Sequence, residues 1–301
     1  MWRSLVQKLL PPPWREALLR KYRVFRRRRL AAWPQTTEEE FRRIVTDELG
    51  LRRGAVVFVH SATDRLNLGF SFFRVLPILR ETVGPAGTLL FPCTHVRDRA
   101  EDYLRRGDVF SVRNAVTTMG ILPELVRRLP DAVRSLHPTN SVVAVGKYAR
   151  ELTDTHSRSV YPCGEESPYF KIMQYDGRIV GLGVTTAKLS FVHCVEDVWR
   201  DRFPVRTRTP EVFPARVIDQ DGAELIVPTV AQSRVTQVLT SHSVPRFIRR
   251  HVAPAVCREL RSNGVEYFAA DARRLYARLE ELAGQGVTIY GRPRFAALRR
   301  A

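Results

Sequence analysis

The sequence predicts an α/β fold, because short apolar runs of strand length alternate with segments of helical periodicity after residue 35. A first helix is predicted to begin at Thr36-Thr37-Glu38-Glu39, where hydroxyl and acidic side chains favour a helix start, and to continue to Leu49. Arg53-Gly54 then turns the chain into a strand over 56–59. Further strands are predicted at 88–91, 142–145 and 179–182, further helices at 72–83 and 120–129, and a partly helical segment at 147–155.

The pattern changes after Arg206 to short strands and turns. Asp219-Gln220-Asp221-Gly222 predicts a hairpin, because Asp-Gly favours the tight turns that join antiparallel strands. A strongly amphipathic helix is predicted over 271–282. With 301 residues, of which 44% are hydrophobic, the chain is long enough for a single large domain. We predict this domain over 36–301, with the amphipathic helix as its last element.

A basic amphipathic N-terminal arm is predicted over residues 1–35. Residues 1–33 contain ten Lys or Arg residues against the single acid Glu16, so half of the formal net charge of +18 lies there. Trp, Leu and Phe side chains are interleaved with these charges. The arm therefore fits contact with an anionic membrane surface, binding of nucleic-acid phosphates by Arg26–Arg29, or a solvated extension. No nucleic-acid-binding module accompanies the arm, so nucleic acid is not an expected partner.

The cysteines and the apolar runs indicate the compartment. Four isolated cysteines, without Cys-x-x-Cys spacing, are expected to be reduced: Cys93, Cys163, Cys194 and Cys257. No uncharged apolar run reaches the length of a membrane span, and residues 1–10 lack the pattern of a secretory signal. We expect a cytoplasmic protein, with the arm as a candidate for peripheral contact with the inner face of the membrane.

The first candidate for chemistry is Ser190-Phe191-Val192-His193-Cys194-Val195-Glu196. In a helix, three-residue intervals put Ser190, His193 and Glu196 on one face. A histidine oriented by a carboxylate can remove a proton from a nucleophile near neutral pH. Two other interpretations remain open at this point: a buried structural hydrogen bond, and a metal site. His-x-x-Glu supplies two ligands only, and no zinc-protease pattern is present, so no metal is expected.

Six blocks occur along the chain in a recognisable order: Val56–Thr63, Gly84–Pro92, Thr117–Gly120, Arg134–Ser141, Gly164–Pro168 and the Ser-His-Glu segment. Together, over roughly residues 40–270, they resemble the aminoglycoside 3-N-acetyltransferase family. The resemblance implies a mixed-sheet α/β/α fold, distinct from the small general acetyltransferase fold. It also implies transfer of acetyl from acetyl-CoA to an amino group of an aminoglycoside or related amino sugar, the activity behind antibiotic resistance. No metal is implied.

The resemblance also implies residue roles. His193 matches the general base, Glu196 the carboxylate that orients it, and Ser190 a position that usually holds threonine. The coenzyme-binding residues implied are His60, Ser61, Ala62, Thr63, Thr117, Thr118 and Gly120. The candidates for substrate binding are His137, Glu165 and Asp197. The chain departs from the family at Ala115-Val116-Thr117, where Thr-Pro-Ser is usual, and at Glu166, where glycine is usual.

Two mechanisms are compatible with this segment. In direct transfer, His193 accepts the proton of the attacking amine. In the alternative, Cys194 forms an acyl-enzyme, but neighbouring residues on a helix point about 100° apart, so adjacency to His193 is weak evidence for a pair. Direct transfer is therefore favoured.

Charge bears on the acceptor, because the chain is basic even without its arm. Like charges repel, so a free polycationic aminoglycoside fits this surface less well than an amino sugar that carries phosphate, a nucleotide or a lipid diphosphate. A different class of function also stays open: a CoA- or glycan-binding protein that keeps the scaffold without catalysis. The expected partner is a small-molecule amino sugar, and a homodimer is the assembly we consider.

Overall fold

The computed structural model describes residues 20–21, 24–25, 29–234, 236 and 243–290. Most of the predicted basic arm lies outside the described residues. The strands are β1 (Val56–Ser61), β2 (Thr88–Pro92), β3 (Phe110–Ser111), β4 (Val133–Arg134), β5 (Val142–Gly146), β6 (Arg178–Leu182), β7 (Arg208–Ile218), β8 (Glu224–Gln232), β9 (Cys257–Ser262) and β10 (Val265–Asp271). The α-helices are α1 (Glu38–Arg43), α2 (Val75–Val83), α3 (Ala100–Arg106), α4 (Ile121–Val126), α5 (Ala149–Thr153), α6 (Pro168–Lys171), α7 (Cys194–Trp199), α8 (Val244–His251) and α9 (Ala272–Gly284).

A seven-stranded mixed sheet forms the centre of the fold, in the order β4-β5-β2-β1-β6-β10-β9. Only the three middle strands β2, β1 and β6 run parallel, and the flanking pairs are antiparallel. Successive side chains point to opposite faces, so Phe58 and Leu90 join one buried cluster while Val57, Val59 and Leu89 join another. The predicted α/β class, and the mixed sheet that the resemblance implies, are both confirmed.

The first helix begins where its sequence predicts. Thr37 is the N-cap, and its hydroxyl accepts a hydrogen bond from the Glu40 N–H while the Glu40 carboxylate accepts one from the Thr37 N–H. The α-helix ends at Arg43, and a π-helical turn over Ile44–Glu48 follows. The wider turn keeps the apolar side chains of this segment in the core, so the predicted apolar face is confirmed through Leu49.

The hairpin predicted at Asp219–Gly222 is confirmed, and it joins β7 to β8 in a second sheet of order β3-β7-β8. The Asp219 carboxylate accepts hydrogen bonds from the N–H groups of Asp221 and Ala223, and Gly222 has a φ of 92°. The expectation of short strands in this region was wrong, since β7 has 11 residues and β8 has 9. β7 and β8 pair along nearly their whole length, and these backbone hydrogen bonds stabilise the two strands although many of their side chains are exposed.

The C-terminal part adds two strands and a helix to the central sheet. β9 and β10, which the sequence pattern did not predict, pair with each other and then with β6. The predicted amphipathic helix is confirmed as α9, and the Asp271 carboxylate caps it by accepting from the Arg274 N–H. Among the described residues, no helix is long and apolar enough to cross a membrane.

Candidate active site

A cavity of about 650 Å³ opens at the carboxyl ends of the parallel strands β2, β1 and β6. Such an edge is where ligands usually bind to open α/β sheets, and this volume suits a small molecule. The lining residues come from these strand ends, from the segments that follow them and from the start of α8: His60, Ser61, Ala62, Thr63, Asp64, Arg65, Pro92, Thr118, Met119, Gly120, Ile121, Val184, Ala187, Lys188, Leu189, Ser190, His193 and Val244.

Gly183 turns the chain from β6 toward this cavity. Its φ is +70°, and a Cβ built there would lie 2.7 Å from the Ala62 carbonyl oxygen. Only glycine therefore allows β6 to leave the sheet so close to the end of β1. The chain next forms a 3₁₀ turn at Thr186–Lys188, where the Glu259 carboxylate on β9 accepts hydrogen bonds from the Thr186 N–H and hydroxyl at 2.9 and 2.6 Å.

The Ser-His-Glu segment changes helix type between its members. Ser190–His193 forms a 3₁₀ turn, and α7 begins at Cys194. A 3₁₀ turn has three residues, so it brings Ser190 and His193 to one side, and both line the cavity. Glu196 follows one turn later and is buried behind His193. The predicted shared face is therefore present, although the segment is not one regular α-helix.

His193 and Glu196 form a hydrogen-bonded pair, with 3.0 Å between His193 Nδ1 and Glu196 Oε1. The side chain of His193 is 28% exposed and that of Glu196 is 1% exposed. A carboxylate oxygen accepts, so Nδ1 carries the proton of the neutral ring and Nε2 is its basic nitrogen. Burial alone would raise the pKa of Glu196. The interactions with His193 and, to a lesser extent, with Arg208 and Tyr290 outweigh burial, so the pKa of Glu196 lies below its ordinary value.

Tyr290 completes this arrangement, and the sequence did not point to it. Its hydroxyl donates to Glu196 Oε2 at 3.0 Å, so both oxygens of the buried carboxylate have partners. Tyr290 lies 94 residues beyond Glu196 in the chain. Only the fold, which carries the chain past α9 and back to α7, brings the two together.

Most of the residues expected to contact the coenzyme line the cavity: His60, Ser61, Ala62, Thr63, Thr118 and Gly120. His60 is 4% exposed, and within the described residues its Nε2 has no hydrogen-bond partner. Burial and, to a lesser extent, the charge of Lys188 lower the pKa of His60 to about 3, so its ring is neutral. A neutral ring with an unsatisfied buried nitrogen fits a polar group of a bound ligand.

Thr117 was also expected to contact the coenzyme, but it does not line the cavity. It is buried, and its hydroxyl donates to the Thr94 carbonyl oxygen at 2.9 Å and accepts from the Met119 N–H at 3.1 Å. The side chain therefore holds the loop that carries Thr118 and Gly120. Gly120 itself has a φ of +104°, a conformation that favours glycine.

Asp197 does not line the cavity, contrary to its expected role in substrate binding. Its carboxylate makes a two-point ion pair with Arg208, at 2.6 Å from Oδ1 to Nε and 2.6 Å from Oδ2 to Nη2. Oδ2 also accepts from the Cys163 N–H at 2.8 Å. Burial lowers the pKa of Arg208, but Asp197 outweighs burial and leaves that pKa above its ordinary value. Asp197 thus ties α7 to β7 and to the loop at Cys163.

His137 and Glu165, the other two candidates for substrate binding, also lie away from the cavity. His137 is fully buried against the ring of His156, its Nδ1 accepts from the Asn140 N–H at 3.2 Å, and its Nε2 lies 3.2 Å from the Thr229 hydroxyl. Burial lowers its pKa well below the ordinary value. Glu165 is exposed and pairs with Arg200 at 2.9 Å.

Cys194 is unsuited to an acyl-enzyme route. It is fully buried in the core and does not line the cavity, and burial raises its pKa well above the ordinary value. The thiolate is the nucleophilic form of cysteine, so a buried, neutral thiol that faces the core is unreactive.

The solved structures establish the fold type. The aminoglycoside acetyltransferase AAC(3)-Xa superposes with a TM-score of 0.70 at 20% identity, covering 89% of this chain and 99% of that chain. AAC-IIIb in a binary complex with CoASH superposes with a TM-score of 0.67 at 20% identity, covering 85% and 98%. The chain therefore has the mixed-sheet α/β fold of the AAC(3) acetyltransferases.

The family follows from the sequence. The family model for aminoglycoside 3-N-acetyltransferase matches residues 58–282. Aminoglycoside N(3)-acetyltransferase III of Serratia marcescens is 31% identical over 187 residues, which cover 58% of this chain and 68% of that protein. Aminoglycoside N(3)-acetyltransferase IX of Micromonospora chalcea is 30% identical over 173 residues, covering 52% and 61%. The chain belongs to the aminoglycoside 3-N-acetyltransferase family of acyltransferases, which confirms the resemblance.

Proposed function

We propose that this protein is an acetyl-CoA-dependent N-acetyltransferase that modifies an amino group of an amino sugar by direct transfer, with His193 as general base. The observation that carries the proposal is the His193–Glu196 pair, whose histidine lines a strand-end cavity while its carboxylate is buried and fully hydrogen-bonded. Use of acetyl-CoA is supported by family membership and by the AAC-IIIb complex with CoASH.

The proposed step starts from the neutral amine, because an ammonium group has no lone pair for attack. The amine nitrogen attacks the carbonyl carbon of the thioester while His193 Nε2 accepts a proton from it. The carbon–sulfur bond then breaks, and the imidazolium returns the proton to the CoA thiolate. The products are the N-acetyl compound and CoASH. Glu196 keeps Nδ1 protonated and stabilises the imidazolium between these two events.

The cavity walls support distinct roles for the two reactants. His60–Thr63 at the end of β1 and Thr118–Gly120 form the wall that we assign to the coenzyme. Ser190 and His193 belong to the segment that follows β6, which we assign to the acceptor amine. The Ser190 hydroxyl is available to donate to the oxyanion of the tetrahedral intermediate.

The test is CoASH release from acetyl-CoA with a panel of amines, including sisomicin and simple amino sugars. We expect His193→Ala to lower kcat at least about 100-fold, the usual contribution of a general base, while binding of acetyl-CoA is retained. His251→Ala is the matched control, because His251 lies on α8 and does not line the cavity. Coenzyme binding without turnover of any amine would instead support a non-catalytic binding protein.

A further inference from the structure

The charged side chains that line the catalytic cavity are mostly basic. Among the described residues its walls hold one carboxylate, Asp64, against the cationic side chains of Arg65 and Lys188. A free aminoglycoside such as sisomicin brings several ammonium groups, and each binds best next to a carboxylate or a carbonyl. The charge on these walls therefore favours a negatively charged ligand over a polycation.

Carboxylates near the cavity are already engaged in the fold. Glu196 serves His193 and Tyr290, and Asp197 is held by Arg208. Glu259 accepts from Thr186 and forms an ion pair with Arg249 at 2.8 Å. These groups would have to give up their partners before they could bind an ammonium group of a ligand.

The segments outside the described residues add almost no acid. Of the chain's 31 Asp and Glu residues, only Glu16 belongs to them. Val244 lines the cavity. Residues 237–242, which come shortly before it in the chain, have the sequence Gln-Val-Leu-Thr-Ser-His and contain no acid. These segments therefore bring no carboxylate other than Glu16 that could offset the basic walls.

A second recess of about 170 Å³ lies beside the cavity and is also basic. Arg29, Arg65 and Arg261 line it together with Trp33, and Glu266 is the one acid among its described lining residues. Arg65 belongs to the walls of both spaces. Guanidinium groups are well suited to phosphate oxygens, because their N–H groups match the geometry of the anion. Positive charge thus continues from the catalytic cavity into the neighbouring recess.

We propose that the acceptor is an amino sugar that carries a phosphate group, with its amine at His193 and its phosphate bound by Lys188 and Arg65. The proposal rests on the proposed function, since it names the acceptor class of the same site. Lys188 is assigned to the acceptor because it lies on the segment that carries Ser190 and His193. Arg65 follows the turn assigned to the coenzyme, but it also lies beside the start of that segment, since a Cβ built at Gly183 would be 3.1 Å from the Arg65 Cβ. The phosphates of CoA are the other source of the same chemistry, and the experiments below separate the two.

The first experiment measures kcat/KM at saturating acetyl-CoA for glucosamine 6-phosphate, glucosamine and sisomicin. We expect glucosamine 6-phosphate to exceed glucosamine by about tenfold or more, the value of a charge-assisted hydrogen bond. Added salt should lower the rate for glucosamine 6-phosphate and leave that for glucosamine nearly unchanged. Sisomicin used as well as or better than glucosamine 6-phosphate would overturn the proposal while leaving N-acetyltransfer intact.

The second experiment uses Lys188→Gln and Arg65→Gln to test whether these two cations bind the acceptor or the coenzyme. Each should raise the KM for glucosamine 6-phosphate about tenfold, with the KM for glucosamine and for acetyl-CoA unchanged. Lys147→Gln is the matched control, because Lys147 stacks on Tyr148 outside both spaces and its loss changes net charge equally. A rise in the KM for acetyl-CoA instead would assign these cations to the coenzyme and overturn the proposal.

A binding measurement keeps this inference separate from the proposed function. Calorimetric titration of the full chain, saturated with CoA, gives the dissociation constants of the same three sugars without turnover. If no amine is acetylated, the proposed function fails, and the titration still decides the ligand class. Tighter binding of glucosamine 6-phosphate than of glucosamine and sisomicin would support the phosphate site, and tighter binding of sisomicin would overturn it.

Discussion

Tyr290 donates its hydroxyl hydrogen bond to Oε2 of Glu196, the oxygen that His193 does not use. Each oxygen of this buried carboxylate therefore has one partner at 3.0 Å. A carboxylate held on both sides cannot rotate without losing a hydrogen bond, so Tyr290 fixes the orientation of Glu196 and, through it, of the His193 ring.

Removal of the Tyr290 hydroxyl should reduce both activity and stability. In Tyr290→Phe the Glu196 Oε2 atom remains buried without its donor, which should lower the free energy of unfolding by about 1–3 kcal/mol. A less restrained His193 should lower kcat about fivefold, which corresponds to roughly 1 kcal/mol, with little change in KM. Urea denaturation and steady-state kinetics measure the two effects.

Tyr276→Phe is the matched control, because Tyr276 lies on α9 and packs edge-on against Phe170. It should leave kcat unchanged. An unaltered kcat in Tyr290→Phe would mean that His193 and Glu196 keep their geometry without the tyrosine, and that Tyr290 only stabilises the fold.

Local sequence signals were sufficient for the elements whose causes are local. The capping box at Thr37 and Glu40 marks the start of α1, and the Asp221-Gly222 pair marks the turn between β7 and β8. The buried apolar runs of β1 and β6 were also recognisable, because fully buried strands lack polar interruptions. The spacing of His193 and Glu196 likewise sufficed to predict their pairing, since it spans one turn.

Contacts between distant segments could not be predicted in this way. β9 carries exposed charged residues such as Arg258 and Arg261, so its burial pattern resembles a loop until β10 pairs with it. Asp197 looked available for a substrate because its partner Arg208 lies on another element. His137 looked available because its partner Thr229 lies 92 residues away in the chain. Lys188 stands two residues before Ser190, but its place in the cavity wall depends on the 3₁₀ turn at Thr186–Lys188, whose partner Glu259 lies on β9.

Loss of the Glu196 charge should impair catalysis more than it impairs folding. In Glu196→Gln the amide oxygen can still accept from His193 Nδ1, but no negative charge stabilises the imidazolium, so kcat should fall on the order of 100-fold. Acetyl-CoA binding should be retained. Pre-steady-state CoASH release with saturating acceptor measures the chemical step directly.

Glu165→Gln is the paired comparison, since it makes the same substitution at an exposed ion pair with Arg200. We expect its kcat and its KM for the acceptor to match those of the wild type. A kcat within twofold of wild type for Glu196→Gln would show that the carboxylate charge is not used in the chemical step.

Breaking the Asp197–Arg208 pair should destabilise the protein strongly. Asp197→Asn leaves a buried guanidinium without its counter-charge, which should cost about 3–5 kcal/mol in the free energy of unfolding. Asp131→Asn breaks the exposed ion pair with Arg80 and should cost less than about 1 kcal/mol. Denaturant titration of both variants measures the contrast, and similar small losses would mean that solvent reaches the Arg208 side chain once Asp197 is gone.

Stability should fall steeply as the pH is lowered from 7.5 to 5.5. Burial lowers the pKa of His60 and of His156 to about 3, that of His95 to about 4, and that of His137 well below its ordinary value. The unfolded chain therefore binds protons near pH 6.5 while the folded protein does not, so stability is lost as the pH falls through 6.5 and continues to fall toward pH 3. Each histidine should contribute about 1.4 kcal/mol per pH unit below 6.5, or roughly 5–6 kcal/mol for the four at pH 5.5.

His156→Asn tests the source of this dependence, because it removes one of the four titrating histidines. The variant is expected to be less stable at pH 7.5, since His156 packs on His137 and hydrogen-bonds to Ser135 at 2.8 Å. The decisive quantity is the difference between its unfolding free energies at pH 7.5 and pH 5.5, which should shrink by about a quarter relative to wild type. An unchanged difference would assign the acid sensitivity to the carboxylates instead, and Glu196, whose pKa lies below its ordinary value, would be the next group to replace.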